Sequence, residues 1–101
     1  MNLTLTGRHL EISPYLKNHV ALKVKKLERY NDHITQAEIV LAKDSTKDIA
    51  EGKVHLRHTV LTATGKGDDM YMAVNDLVDK LLVQLRRHDG KLRTRKRQPA
   101  K

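Results

Sequence analysis

Cations at helical spacing are the residues of this sequence best suited to chemistry, and the chemistry they suit is phosphate binding. Lys17, Lys23 and Lys26 fall in one stretch, Lys80, Arg87 and Lys91 in another, and Arg93, Arg95, Lys96 and Arg97 form a run beyond them. Such groups neutralise a phosphate backbone without a catalytic geometry. The ordinary alternative is a solvated helix face.

Patterns that could support catalysis or a metal are incomplete. On a strand, His55 and His58 would point to opposite faces, so their rings could not share one ion. A turn between them weakens that argument, but no Cys or carboxylate follows at ligand spacing. Gly65-Lys66-Gly67 lacks the third glycine of a dinucleotide loop and the Lys-Ser/Thr end of a P-loop. Asp68 and Asp69 fit helix capping. Asp76 and Asp79 lack the further carboxylates that a metal-dependent nuclease gathers in a cleft. No Ser/His/Asp constellation is supported by spacing. The expectation is a binding protein: no enzyme, no metal, no cofactor.

Composition narrows the class. A chain of 101 residues fits one small domain. Its 0 Cys exclude a disulfide framework and thiolate chemistry. No apolar run approaches a membrane span, and the first residues lack a basic start followed by an apolar block. A soluble cytoplasmic protein with no membrane partner, monomeric when free, is expected. Aromatics are 3%, with no Phe or Trp, which excludes modules that stack bases on rows of Phe and Tyr. The net charge is +8, which favours a polyanionic partner, nucleic acid being the commonest. Residues 89–101 carry a net +5 and the first 88 residues a net +3. The tail has almost no apolar residues and contains Pro99, so it is expected to be disordered when free.

The elements that must position these cations are legible in outline. Residues 2–6 alternate Leu with Thr, the period of a half-buried strand, and Gly7 ends it. Ser13-Pro14 marks a helix start, and Leu16, Val20, Val24 and Leu27 place a helix over 14–30. A second strand is expected over 34–43, with Ala37, Ile39 and Leu41 on one face. A polar hairpin loop is expected over 43–52. Two more strands follow over 53–58 and 60–65, with a turn near Arg57–Thr59. After a Gly65–Asp69 turn, Ala73, Leu77, Val78, Leu81 and Leu85 define a second helix from Met70, ending near His88 at Asp89-Gly90. The order is β-α-β-β-β-α: an α+β fold with a four-stranded, mostly antiparallel sheet and two helices on one face, layered like a double-stranded-RNA-binding domain. The expected domain is 1–91, with a basic tail over 92–101.

At about 100° per residue, His19, Lys23, Lys26 and Tyr30 flank the apolar stripe of the first helix. Lys17 lies on its other flank. Lys80, Gln84, Arg87 and Lys91 flank the stripe of the second helix.

These residues resemble a known family. Gly67-Asp68-Asp69-Met70-Tyr71-Met72, running into a helix with Lys80 near its middle, is similar to the ribosome hibernation promoting factors in their short form, within the ribosome-associated inhibitor and sigma-54 modulation protein family. Lys26-Leu27-Glu28-Arg29-Tyr30, Thr6-Gly7 and Glu11-Ile12-Ser13-Pro14 fit the same pattern, and the match runs from about residue 2 to 91. The resemblance implies binding to the small ribosomal subunit and its rRNA, in the channel of mRNA and the A- and P-site tRNAs. It implies a steric block of translation and inactive ribosome dimers in stationary phase or stress. Lys17, Lys23, Lys26, Lys80 and Arg87 are the implied rRNA contacts, with Lys91 an extension. Tyr71 is expected to fix the helix start. The long form's second domain has no counterpart expected in this chain, and the basic tail differs from the acidic extension of the branch that opposes pairing. Both point to the form that acts with a separate small modulation factor. Arg93, Arg95, Lys96 and Arg97 match no family motif and are expected to add RNA affinity.

Two other classes compete. A free double-stranded-RNA binder would place basic residues at the start of its last helix, where this chain has Asp68-Asp69. A small nuclease would have to build its site on Asp76 and Asp79.

Overall fold

The computed structural model describes residues 2–31 and 33–96, with side chains described as far as His88. The elements are β1 (Asn2–Gly7), α1 (Pro14–Tyr30), β2 (Gln36–Lys43), β3 (Asp48–His55), β4 (Val60–Gly67) and α2 (Met70–Lys96). One sheet has the order β1-β2-β3-β4. β1 pairs parallel with β2, and the other two pairings are antiparallel, so the sheet is mixed.

Local chemistry explains α1. The Ser13 hydroxyl accepts a hydrogen bond from the Leu16 amide at 3.1 Å, and Pro14 occupies a first-turn position where its missing N–H costs nothing. At the other end the Asn31 amide donates to the Leu27 carbonyl at 2.9 Å. Leu16, Val20, Val24 and Leu27 are buried, as their spacing predicts.

The connections fix the helix directions. β1 and β2 are parallel, so α1 must run back against β1 to join them. β4 runs in the same direction as β1, because two antiparallel steps separate it from β2. α2 returns along β4, with Asp76 beside Lys66, Lys80 beside Thr64 and Gln84 beside Thr62. The two helices are therefore parallel, and both C-terminal ends point the same way. Near their starts, His19 Nε2 and Asn75 Oδ1 hydrogen-bond at 2.9 Å, and the His19 and Tyr71 rings meet edge-on with centroids 5.0 Å apart. Tyr71 thus holds the start of α2 against α1.

The sheet face beneath α2 is a trough of small residues. Gly65 pairs with Ala50, and Gly52 with Ala63, in neighbouring rows. Ala73 and Leu77 of α2 press into this trough.

Four boundaries differ from the sequence expectation. β3 begins at Asp48, so the hairpin loop covers only 44–47 instead of 43–52. The inward positions of β3 begin Ala50 and Gly52, too weakly apolar to signal a strand, because Leu77 fills the space above them. β3 also stops at His55 rather than residue 58. Gly65-Lys66-Gly67 is the end of β4, not a turn, and its glycines admit the backbone of α2. Finally, α2 runs through Asp89-Gly90 to Lys96 rather than stopping near His88. A glycine ends a helix when it takes a positive φ, and among the described residues no glycine does. Within a helix it costs only about 1 kcal/mol relative to Ala. Residues 92–96 of the expected tail are thus helical and continuous with α2, and 97–101 lie outside the described residues.

Candidate nucleic-acid interface

Parallel helices collect charge at one end. The C-terminal halves of α1 and α2 carry Lys23, Lys25, Lys26, Arg29, Arg86 and Arg87. The β3–β4 turn, residues 56–59, lies at the same end and adds Arg57. Cations there also oppose the negative ends of the helix dipoles.

The described ion pairs of Lys and Arg involve other residues. Among the described residues, Arg8 pairs with Glu51 at 3.1 Å, Lys47 with Asp68 at 2.6 Å and Lys80 with Asp76 at 3.0 Å. Lys17, Lys23, Lys25, Lys26, Arg29, Arg57, Arg86 and Arg87 have no ion pair or hydrogen bond of their side chains among those residues. An unpaired cation can take a phosphate without first giving up a protein partner.

The expected site residues occupy three flanks. Lys23 lies one turn beyond His19 and Lys26 two turns beyond it, on the side of α1 that faces α2. Lys17 is two residues before His19 and falls on the opposite flank. Lys80 and Arg87 lie on the far side of α2, along β4. There they line a groove of about 360 Å³ with Ala63, Thr64, Val83 and Gln84. The side chains of Lys91, Arg93, Arg95 and Lys96, and the whole of Arg97, lie outside what the structure describes.

Lys80 has a second task that its position in the sequence does not announce. β4 is an edge strand, and three of its outward polar groups are met from α2. The Lys80 ammonium donates to the Thr64 carbonyl at 3.0 Å, the Gln84 amide donates to the Thr62 carbonyl at 2.6 Å, and the Asp76 carboxylate accepts from the Lys66 amide at 3.0 Å. Four helix residues rise about 6 Å and two strand residues about 6.6 Å, so the side chains keep step with the strand. The edge is thereby partly covered against other strands. The Lys66 amide, and then the Lys80 ammonium, hold the Asp76 carboxyl below the usual aspartate range.

Asp68 and Asp69 stand at the opposite end. Asp69 caps α2 by accepting from the Met72 amide at 2.8 Å, and the Lys47 ammonium lowers the Asp68 carboxyl. Neither acid leaves the start of α2 suited to phosphate. The sheet face away from the helices holds a depression of about 410 Å³ lined by Arg8, Glu38, Glu51 and Lys53 among others. Its charges are mixed and mostly paired, with Arg8 on Glu51 and His55 on Glu38. That makes it a poorer phosphate surface than the helix end. His55 closes β3 while His58 stands in the turn, and among the described residues no group of three or more His, Cys, Asp or Glu could hold a metal. Among them, too, no helix is long and apolar enough to cross a membrane.

Lys25, Arg29, Arg57 and Arg86 belong to this end of the molecule but not to the expected site. Helical spacing alone turns Lys25, Arg29 and Arg86 away from the apolar stripes of the two helices. Arg57 was hidden, because only the pairing of β3 with β4 carries it to the helix ends.

Comparison with known proteins agrees with this architecture. Residues 3–93 match the family described as Sigma 54 modulation protein / S30EA ribosomal protein. The chain is 39% identical over 93 residues to the ribosome hibernation promoting factor of Klebsiella oxytoca, covering 92% of this chain and 98% of that protein. It is 37% identical to the protein of the same name from Escherichia coli K12, with the same 92% and 98% coverage. The fold is similar to a ribosomal subunit interface protein from Coxiella burnetii, with a TM-score of 0.85 and 29% identity over 89% of this chain and 99% of that one. It is also similar to the Protein Y N-terminal domain of Thermus thermophilus, with a TM-score of 0.79 and 34% identity over 87% and 99% of the two chains. With a family match across nearly its whole length and the β-α-β-β-β-α order in place, the chain belongs to the Sigma 54 modulation protein / S30EA ribosomal protein family.

Proposed function

We propose that this protein is a ribosome hibernation factor. It binds the small ribosomal subunit through rRNA phosphates in the mRNA and tRNA channel, at the A and P sites. It blocks translation by occupying that space and promotes inactive ribosome dimers in stationary phase or stress, together with a separate small modulation factor. It works in the cytoplasm as a steric inhibitor without catalysis. Lys17, Lys23, Lys26, Lys80, Arg87 and Lys91 supply rRNA contacts, and Arg93, Arg95, Lys96 and Arg97 add affinity.

The observation that carries this reading is the set of cations at one end of two parallel helices that have no ion pair among the described residues. The names of the relatives, which concern ribosome hibernation and the ribosomal subunit interface, support it. Recognition by charge and shape also suits a chain that is only 3% aromatic.

Co-sedimentation with purified subunits, monosomes and dimers tests it. The protein is expected with small subunits and monosomes at moderate salt, with affinity falling steeply as salt rises. Absence from the small-subunit peak refutes the proposal. Equal affinity for plain RNA duplexes replaces it with a general double-stranded-RNA binder.

A further inference from the structure

The β3–β4 turn lies at the cationic end, and neither the helix pattern nor the family resemblance singled out its residues. It runs from Leu56 to Thr59, and the Leu56 amide donates to the Thr59 carbonyl at 2.8 Å. Leu56 is buried in the core, and the Thr35 amide and hydroxyl both donate to the His55 carbonyl, at 2.9 and 3.2 Å. The base of the turn is therefore held on two sides, while Arg57 and His58 at its tip are exposed.

Nothing in the fold asks for Arg or His at these positions. Neither residue has a positive φ, so the backbone makes no demand for Gly or Asn. Neither has a hydrogen bond or ion pair among the described residues. The turn still carries two basic residues, and no acid lies between His55 and Gly67.

Its location follows from the contacts between α2 and β4. Asp76 meets Lys66, Lys80 meets Thr64 and Gln84 meets Thr62, a step of four helix residues for two strand residues. The next step places His88 beside Val60 and the turn beside the continuation of α2. Arg57 and His58 thus extend the line of Lys80 and Arg87 past the end of the sheet.

We propose that the β3–β4 turn, through Arg57 and His58, is a third phosphate-binding element, contacting RNA backbone next to α1 and α2. This rests on the RNA-binding reading given above. The held base makes the contact preorganised, since little ordering remains to be done on binding.

The test is the double variant Arg57→Gln with His58→Asn, which removes charge and keeps residues the turn accepts. Its thermal midpoint is expected to match the parent. Its affinity for purified small ribosomal subunits is expected to fall about tenfold, and the slope of log affinity against log salt to become shallower by about one unit. Unchanged affinity overturns the proposal. Lost affinity with an unchanged salt slope also overturns it, by assigning the turn to a protein contact. If the parent fails to bind subunits, the hibernation reading falls, and a titration of the parent with a short RNA hairpin decides the turn separately. Amide shifts at residues 57–59 on adding RNA then uphold the phosphate contact, and their absence overturns it.

Discussion

Gly65 lies directly beneath Leu77, and a Cβ on Gly65 would stand 2.3 Å from the Leu77 backbone nitrogen and 2.3 Å from the Ala73 carbonyl oxygen. Both obstacles are helix backbone, which cannot rotate aside. Gly65→Ala is expected to lift α2 from the sheet, at the upper end of the roughly 1–3 kcal/mol typical of overpacking or beyond it. Gly52→Ala meets only side-chain methyls, those of Leu77 from 3.0 Å and that of Ile39 at 3.3 Å, and should cost less. Thermal unfolding of the two variants checks the order, and equal midpoints would contradict the close approach.

Closing the β4 edge is a separable task. Lys80→Ala with Gln84→Ala frees the Thr64 and Thr62 carbonyls. The variant should lose about 1–2 kcal/mol and begin to self-associate at micromolar concentration. Sedimentation velocity reads the association. A variant that stays monomeric would show that the edge needs no cover.

Cations without partners should be replaceable without loss of fold. Lys23→Glu, Lys26→Glu and Arg87→Glu together are expected to keep the parent circular dichroism spectrum and weaken small-subunit binding by more than about a hundredfold. Lys80→Glu differs, because it sets a carboxylate against Asp76 and the Thr64 carbonyl. It should lower stability and affinity together, so a charge-reversal test of binding is cleaner without it. Retained binding in the triple variant would mean that the helix faces are not the contact surface.

Acid should act on Asp76. Its carboxyl titrates below the usual aspartate value because the folded state favours the charged form. The resulting stabilisation is present above the unfolded value, about 3.9, and is lost as pH falls through the lower folded value. Asp76→Asn should therefore flatten the acid limb of a plot of unfolding midpoint against pH. An unchanged limb below pH 4 would place the acid sensitivity elsewhere. Asp68, fully exposed beside Lys47, is the natural comparison.

The sequence carried α1 almost residue for residue, because Ser13, Pro14 and four buried aliphatics at helical spacing all agree. It carried the element order for the same reason. The start of β3 stayed hidden because a strand is recognised by bulky inward residues, and here the bulk sits on Leu77 across the layer. The end of α2 was misjudged because Gly90 is a helix terminator only in a left-handed conformation. The cations Lys17, Lys23, Lys26, Lys80 and Arg87 could be named from periodicity and resemblance. Their distribution over three flanks, and the second task of Lys80, depend on which strand lies beside which helix. Arg57 needed the full strand order before it joined them.

The two edges of the sheet are not alike. β4 is covered by Asp76, Lys80 and Gln84, while β1, a six-residue strand without a charged side chain, forms the other border. A filament needs every copy to offer two complementary borders, one for each neighbour. Among the described residues the sheet offers one such border. Two copies that met through β1 would be related by a two-fold axis, would use up both available borders at once, and could admit no third. The cover on β4 therefore works against stacking into fibres through the sheet.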